Sequence, residues 1–226
     1  TKLPKSNRLS IAIAHTPGGA MEIVVGLLAL EYNLITEPMF VAIVFGAVIS
    51  SVILGPWLNY SIKKRREVSI LEHFSRKSIS AKLKFDDRDK TIQELCDLAS
   101  EHEDMPDAES LLAAVLQREN EMGTAIEEGI AIPHARLAVL RKPTIIFGRS
   151  LAGIKWNSPD GKPTHFIFLL LVPKDDDDVQ IQILAIIAKA MSEKETRNSI
   201  MQAKESHEIW AILQKIFASG HIKSRK

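Results

Sequence analysis

Gly129-Ile130-Ala131-Ile132-Pro133-His134 decides how the larger part of this chain is read. A short apolar run closing on proline reads as a strand whose ladder stops there, because proline brings no N–H. The histidine is then expected at a sharp exit from the strand, with its ring at a surface and no following strand partner. An imidazole displayed this way is in a posture to accept and release a phosphoryl group. Arg118, Glu119 and Thr124 precede it at short range.

Outward from this stretch the pattern alternates between strand and helix. Thr144–Ser150 and His165–Val172 read as further strands. The second is almost continuously apolar, as expected of a strand covered on both faces. Asp160-Gly161 marks the turn between them, and Pro173 ends the run. Upstream, Asp89–Ser100 and a segment from Pro106-Asp107 to about Asn120 carry apolar residues at helical spacing. Downstream, Val179–Ser192, Glu195–Ala203 and His207–Phe217 do the same. Ile79, Leu83 and Phe85 suggest a short first strand. Strands alternating with helices predict a layered α/β sandwich with a mixed sheet.

The chain has 226 residues and a formal net charge of +1, which gives no push toward nucleic acid. Its single cysteine, Cys96, excludes an intrachain disulfide and a cysteine metal cluster. The run Asp175–Asp178 lacks the glycine turn and distal glutamate of a calcium loop and suits a helix start instead. No metal and no cofactor is expected. A mean hydropathy of +0.01 averages two unlike parts.

Residues 9–58 are almost uncharged. Pro38–Leu58 has no charged residue and is long enough as a helix to cross roughly 30 Å of hydrocarbon. Trp57 and Tyr60 follow at its end, then Lys63-Lys64-Arg65-Arg66. A second apolar stretch, Leu9–Ile35, is interrupted at Thr16-Pro17-Gly18-Gly19. Basic residues flank both outer ends, and Glu31 and Glu37 sit in the connection between the stretches. The positive-inside rule then puts both ends in the cytoplasm. The expected localisation is the cell membrane, multi-pass, with residues 63–226 cytoplasmic. His15 and Glu22 are the polar candidates within the first span. They either line a polar cavity at the helix break or lie at the interface and against a neighbouring helix.

Thr16-Pro17-Gly18-Gly19-Ala20-Met21, followed by a span, a short loop and a last span ending in Pro56-Trp57-Leu58, resembles the final two helices of bacterial monovalent cation:proton antiporters. That family has Thr-Pro-Arg-Gly-Glu-Met, so Gly18 and Ala20 replace its arginine and glutamate. The resemblance implies an upstream antiporter membrane domain as partner, a lipid bilayer around the hairpin, and a homodimer.

A second resemblance covers about residues 78–218. Arg118-Glu119, Thr124, the Gly129–His134 stretch, Gly153-Ile154-Lys155-Trp156, Asp160-Gly161-Lys162-Pro163 and Leu169–Pro173 follow one another as in fructose/mannitol-type enzyme IIA domains of the sugar phosphotransferase system. It implies that His134 accepts a phosphoryl group from a histidine phosphocarrier protein and passes it to a sugar-specific enzyme IIB. Arg118, Thr124 and Gln180 are the candidates for stabilising the phosphoryl group. Gln180 stands where family members often have a second histidine, and glutamine cannot carry positive charge.

Together these readings predict a transmembrane helical hairpin over 1–62, a cytoplasmic linker over 63–77, an enzyme IIA-like α/β sandwich over 78–218 and a tail over 219–226. The favoured function is a regulatory domain attached to an antiporter, with His134 as phospho-acceptor or ligand-pocket residue. The alternatives are a phosphocarrier relaying phosphoryl groups and a non-catalytic module binding a small-molecule effector.

Overall fold

The computed structural model describes residues 20–63 and 69–219. The chain divides into two units, residues 1–67 and 68–226.

The first unit contains helices α1 (Ala20–Glu31) and α2 (Glu37–Lys63), joined by a tight turn in which Leu34 N–H bonds to Ala29 C=O. Asn33 holds φ 56° there, a conformation asparagine tolerates. The helices pack face to face through small residues. A Cβ on Gly26 would lie 3.3 Å from Phe40. Outward faces are apolar and exposed, with Phe45 63% and Val52 69% accessible. Of the two spans expected, Glu37–Leu58 has the required length, with mean hydropathy 2.3 and only 6% of it buried. Its 22 residues extend about 33 Å. α1 has 12 residues, shorter than a bilayer core. His15 and the break at residues 16–19 lie outside the described residues, as does the tail from residue 220. Glu22 is exposed on α1, across from Gly46 and Ala47.

The second unit is a six-stranded mixed sheet between two helical layers. Its strands are β1 (Ile79–Ser80), β2 (Ala125–Ile126), β3 (Ile130–Ala131), β4 (His134–Leu137), β5 (Thr144–Ile154) and β6 (Thr164–Pro173). β6 is central: β5 pairs with it antiparallel, and β3 and β4 pair with it parallel. Its side chains alternate between two cores, as period 2 requires. Phe166, Phe168, Leu170 and Val172 face one cluster, and Ile167, Leu169 and Leu171 face the other. The second cluster is closed by α3 (Arg88–Ser100) and α4 (Ala108–Glu121). The first is closed by α5 (Asp177–Ser192), α6 (Lys194–Gln202) and α7 (Ser206–Ser219). This is the layered mixed α/β arrangement the sequence predicts.

Caps set two helix starts. Asp87 accepts from Lys90 N–H and caps α3, which starts at Arg88, one residue before the Asp89 start expected from sequence. Asp107 accepts from Ser110 N–H at the head of α4. The sheet-bearing unit also begins earlier than residue 78. Ile70 and Phe74, read from sequence as linker, are each 3% exposed within the first core, and Phe74 lies 5.3 Å from the Trp210 ring of α7. Ile70–Glu72 forms a 3-10 turn.

Candidate functional site

The expected exit at Pro133 is not an exit. β3 and β4 hold the same register on β6, Ile130 opposite Phe166 and His134 opposite Leu170. Pro133 interrupts the N–H side of this ladder but still accepts from Leu170 N–H through its carbonyl. His134 is therefore the first residue of a continuing strand, and its ring is half-buried. Among the described residues β4 has β6 as its only strand neighbour, so the ring sits where the sheet edge meets two helices.

The imidazole is oriented by a relay of short bonds. Nδ1 lies 2.9 Å from Ile132 C=O. A carbonyl only accepts, so Nδ1 carries the proton and the neutral ring keeps its lone pair on Nε2. Ile132 N–H donates to Thr124 C=O at 3.1 Å. Thr124 in turn donates its hydroxyl and its N–H to the carboxylate of Glu119, which also accepts from Trp156 Nε1 at 2.9 Å. Glu119 is 2% exposed, so three donors satisfy a buried carboxylate and lock the loop before the histidine. Gly129 adds a turn at φ 75°; a Cβ there would sit 3.0 Å from Pro163 O.

Burial pushes the His134 pKa below its ordinary value, and the guanidinium groups of Arg118 and Arg136 act in the same direction. The bond to Ile132 and the charge of Glu119 oppose this without reversing it. The ring is thus held neutral near pH 7.

A cavity of about 400 Å³ opens beside it. α4 contributes Arg118 and Glu121, β4 contributes His134 and Arg136, and α5 contributes Gln180. Arg118 is steadied by donating to Met122 C=O. Of the residues singled out from sequence, His134, Arg118 and Gln180 meet in this cavity. Thr124 does not line it; its hydroxyl proton goes to Glu119. Gln180 is 5% exposed, and its Oε1 accepts from Arg136 Nε at 2.7 Å.

Sequence reasoning misses Arg136 and the role of Glu119. Arg136 shares the histidine's face only because β4 continues past Pro133, a strand the sequence pattern does not announce. Glu119 gave no signal, because its partners Thr124 and Trp156 come from separate segments. Among the described residues, no group of three or more His, Cys, Asp or Glu is arranged to hold a metal ion.

Residues 72–216 match the family model described as phosphoenolpyruvate-dependent sugar phosphotransferase system, EIIA 2. A fructose-specific EIIA component from Haloferax volcanii is 31% identical over 129 residues, covering 57% of this chain and 84% of that protein. The crystal structure of the nitrogen regulatory protein IIA-Ntr from Neisseria meningitidis aligns with TM-score 0.56 at 28% identity, covering 64% of this chain and 98% of the other. IIA mannitol of Escherichia coli, in its complex with phosphorylated IIB mannitol, shares the fold at TM-score 0.52 and 15% identity, covering 63% and 99%.

Proposed function

We infer, from the premise that this chain belongs to the EIIA type-2 family of the phosphoenolpyruvate-dependent sugar phosphotransferase system, that residues 72–216 act as a phosphocarrier whose acceptor atom is His134 Nε2. The observation that carries this is the oriented ring. Nδ1–H is tied to Ile132 C=O, which leaves the Nε2 lone pair on an imidazole that lines an arginine-bearing cavity. In the transfer the donor's bond to phosphorus breaks and the P–Nε2 bond forms. The donor atom leaves with the electron pair. The product ring keeps its Nδ1 proton, which makes it a good leaving group for the onward step. Arg118 supplies charge to the phosphoryl oxygens. The donor on this reading is a histidine phosphocarrier protein and the acceptor an EIIB-type component.

The test is incubation with labelled phosphoenolpyruvate, the general phosphotransferase enzyme and the histidine phosphocarrier protein. Acid-labile label that is absent from His134→Ala supports the reading. An unlabelled wild-type chain removes it.

A second reading attaches the same domain to a membrane transporter as its regulator. What favours it is α2, an exposed apolar helix of spanning length in the unit ahead of the α/β domain. The family match begins at residue 72 and lends the antiporter attachment no support, so the phosphocarrier reading comes first. Here residues 37–58 lie in a bilayer and residues 69–219 in the cytoplasm. Cation flux that changes between wild type and His134→Ala in the same transporting protein supports it, and identical flux removes it.

A further inference from the structure

We propose that Arg136, aimed by Gln180 and restrained by Asp177, is a second cation that grips the phosphoryl group at His134. This rests on the phosphocarrier reading and names a residue that reading does not require.

Three observations carry it. Arg136 and His134 are alternate residues of β4, set opposite Val172 and Leu170, and both line the one cavity. The guanidinium is not left to solvent. Nε donates to Gln180 Oε1 at 2.7 Å, and Nη1 meets Asp177 Oδ1 at 2.5 Å. These two bonds engage two of its five N–H groups, so a fork remains for oxygen ligands. Gln180, at 5% exposure, has turned its amide oxygen to this arginine. In the cavity it therefore serves as a positioning residue.

Asp177 neutralises Arg136 in the empty site. The pair is about half exposed on both sides, 46% and 51%, so its attraction is modest. A phosphoryl group at Nε2 brings a larger negative charge and three acceptor oxygens. It competes with Asp177 for the guanidinium and relaxes the contact at the head of α5.

The experiment follows phosphorylation of the full chain in detergent micelles by phosphoramidate, read by ³¹P NMR. The P–N bond of the donor breaks, ammonia leaves with the electron pair and a solvent proton, and the Nε2 lone pair takes the phosphorus. Arg136→Gln should slow labelling of His134 by about 10- to 100-fold, and Arg136→Lys should recover part of the rate as a charge without the fork. Asp177→Asn should speed labelling by about two- to fivefold, because the restraint is gone. Opposite signs are the signature; a merely structural ion pair loses in the same direction from either side. Arg136→Gln at the wild-type rate, or Asp177→Asn unchanged or slower, overturns the proposal. Should Arg136→Gln fail to fold, the exposed Asp177→Asn decides alone. A wild-type chain that takes no label overturns the phosphocarrier reading itself, whereas a labelled wild type with an indifferent Arg136 overturns only this inference.

Discussion

At His134 the net direction of the electrostatic influences, downward despite the opposing Ile132 bond and Glu119 charge, fixes a pH profile. The nucleophile is the neutral ring, and burial, Arg118 and Arg136 all disfavour its protonation. Phosphorylation by a small donor should therefore be flat through neutral pH and fall only on the acid side, with a midpoint below the ordinary 6.5. Arg118→Gln removes one cation and should move that midpoint upward. Rates measured from pH 4.5 to 8.5, normalised to free imidazole with the same donor, check both shifts; a midpoint at or above 6.5 in the wild type contradicts the geometry. Thr124 tests the other side of the ring. Thr124→Val leaves buried Glu119 short of a donor and should cost about 1–3 kcal/mol in urea unfolding, while Thr124→Ser should cost far less. In the sequence His134, Arg118 and Gln180 are grouped through the resemblance to enzyme IIA domains, and the structure brings the three to one cavity. The sequence places Thr124 at the phosphoryl group because a hydroxyl near a histidine looks like a ligand donor. Only the fold reveals that Glu119 takes that proton, since Trp156 and Thr124 meet it from different segments.

Among elements, legibility follows length and burial. β6 is readable as a continuous apolar run because both its faces are covered, and the helices are readable from the period of their apolar residues. β4 is not readable. His134-Ala135-Arg136-Leu137 is too short and mixed for a strand signal, and Pro133 suggests a stop. It pairs because the register set by β3 simply carries on along β6. β2 is only two residues long and exists through its pairing with β3. The closure of the sheet onto α6 was equally hidden. Arg149, on β5 and 2% exposed, donates to Ala81 C=O and to the carbonyls of Ile200, Met201 and Ala203 at the end of α6. A helix terminus holds carbonyls that lack intrahelical donors, and here one guanidinium satisfies several of them. Arg149→Met should destabilise the α/β unit by about 2–4 kcal/mol, through buried carbonyls left unpaired. Arg149→Lys should rescue little, because a point charge cannot reach this spread of acceptors. Hydrogen exchange gives the specific readout: amides of residues 194–202 should lose protection before those of β6. Uniform loss across the unit would mean that the arginine does not act through α6.

For the whole molecule the open question is how a chain with a cavity for phosphoryl chemistry comes to carry α2. Its stretch Glu37–Leu58 is 22 residues long, with mean hydropathy 2.3 and only 6% buried. Burial of apolar area at about 25 cal/mol per Å² favours any arrangement that hides it. Two solutions are available, a bilayer or a protein partner, and the flanking charge separates them. Glu31 and Glu37 lie at one end of α2, and Lys63-Lys64-Arg65-Arg66 at the other. On the membrane reading proposed above, the basic end lies inward, the side on which a soluble phosphodonor works. The prediction is therefore sidedness. In a Cys96→Ser background, Asn33→Cys in the turn and Ser69→Cys beyond α2 provide single labelling sites. Cys96 is buried in the α3 core, so a serine there is tolerated or detected as a lowered melting temperature. In sealed inside-out vesicles, an impermeant maleimide should label the cysteine at 69 and spare the one at 33 until detergent is added. Equal labelling at both positions without detergent would place α2 against protein or along the surface, and the transporter-linked reading would lose its footing while the chemistry at His134 stood unchanged.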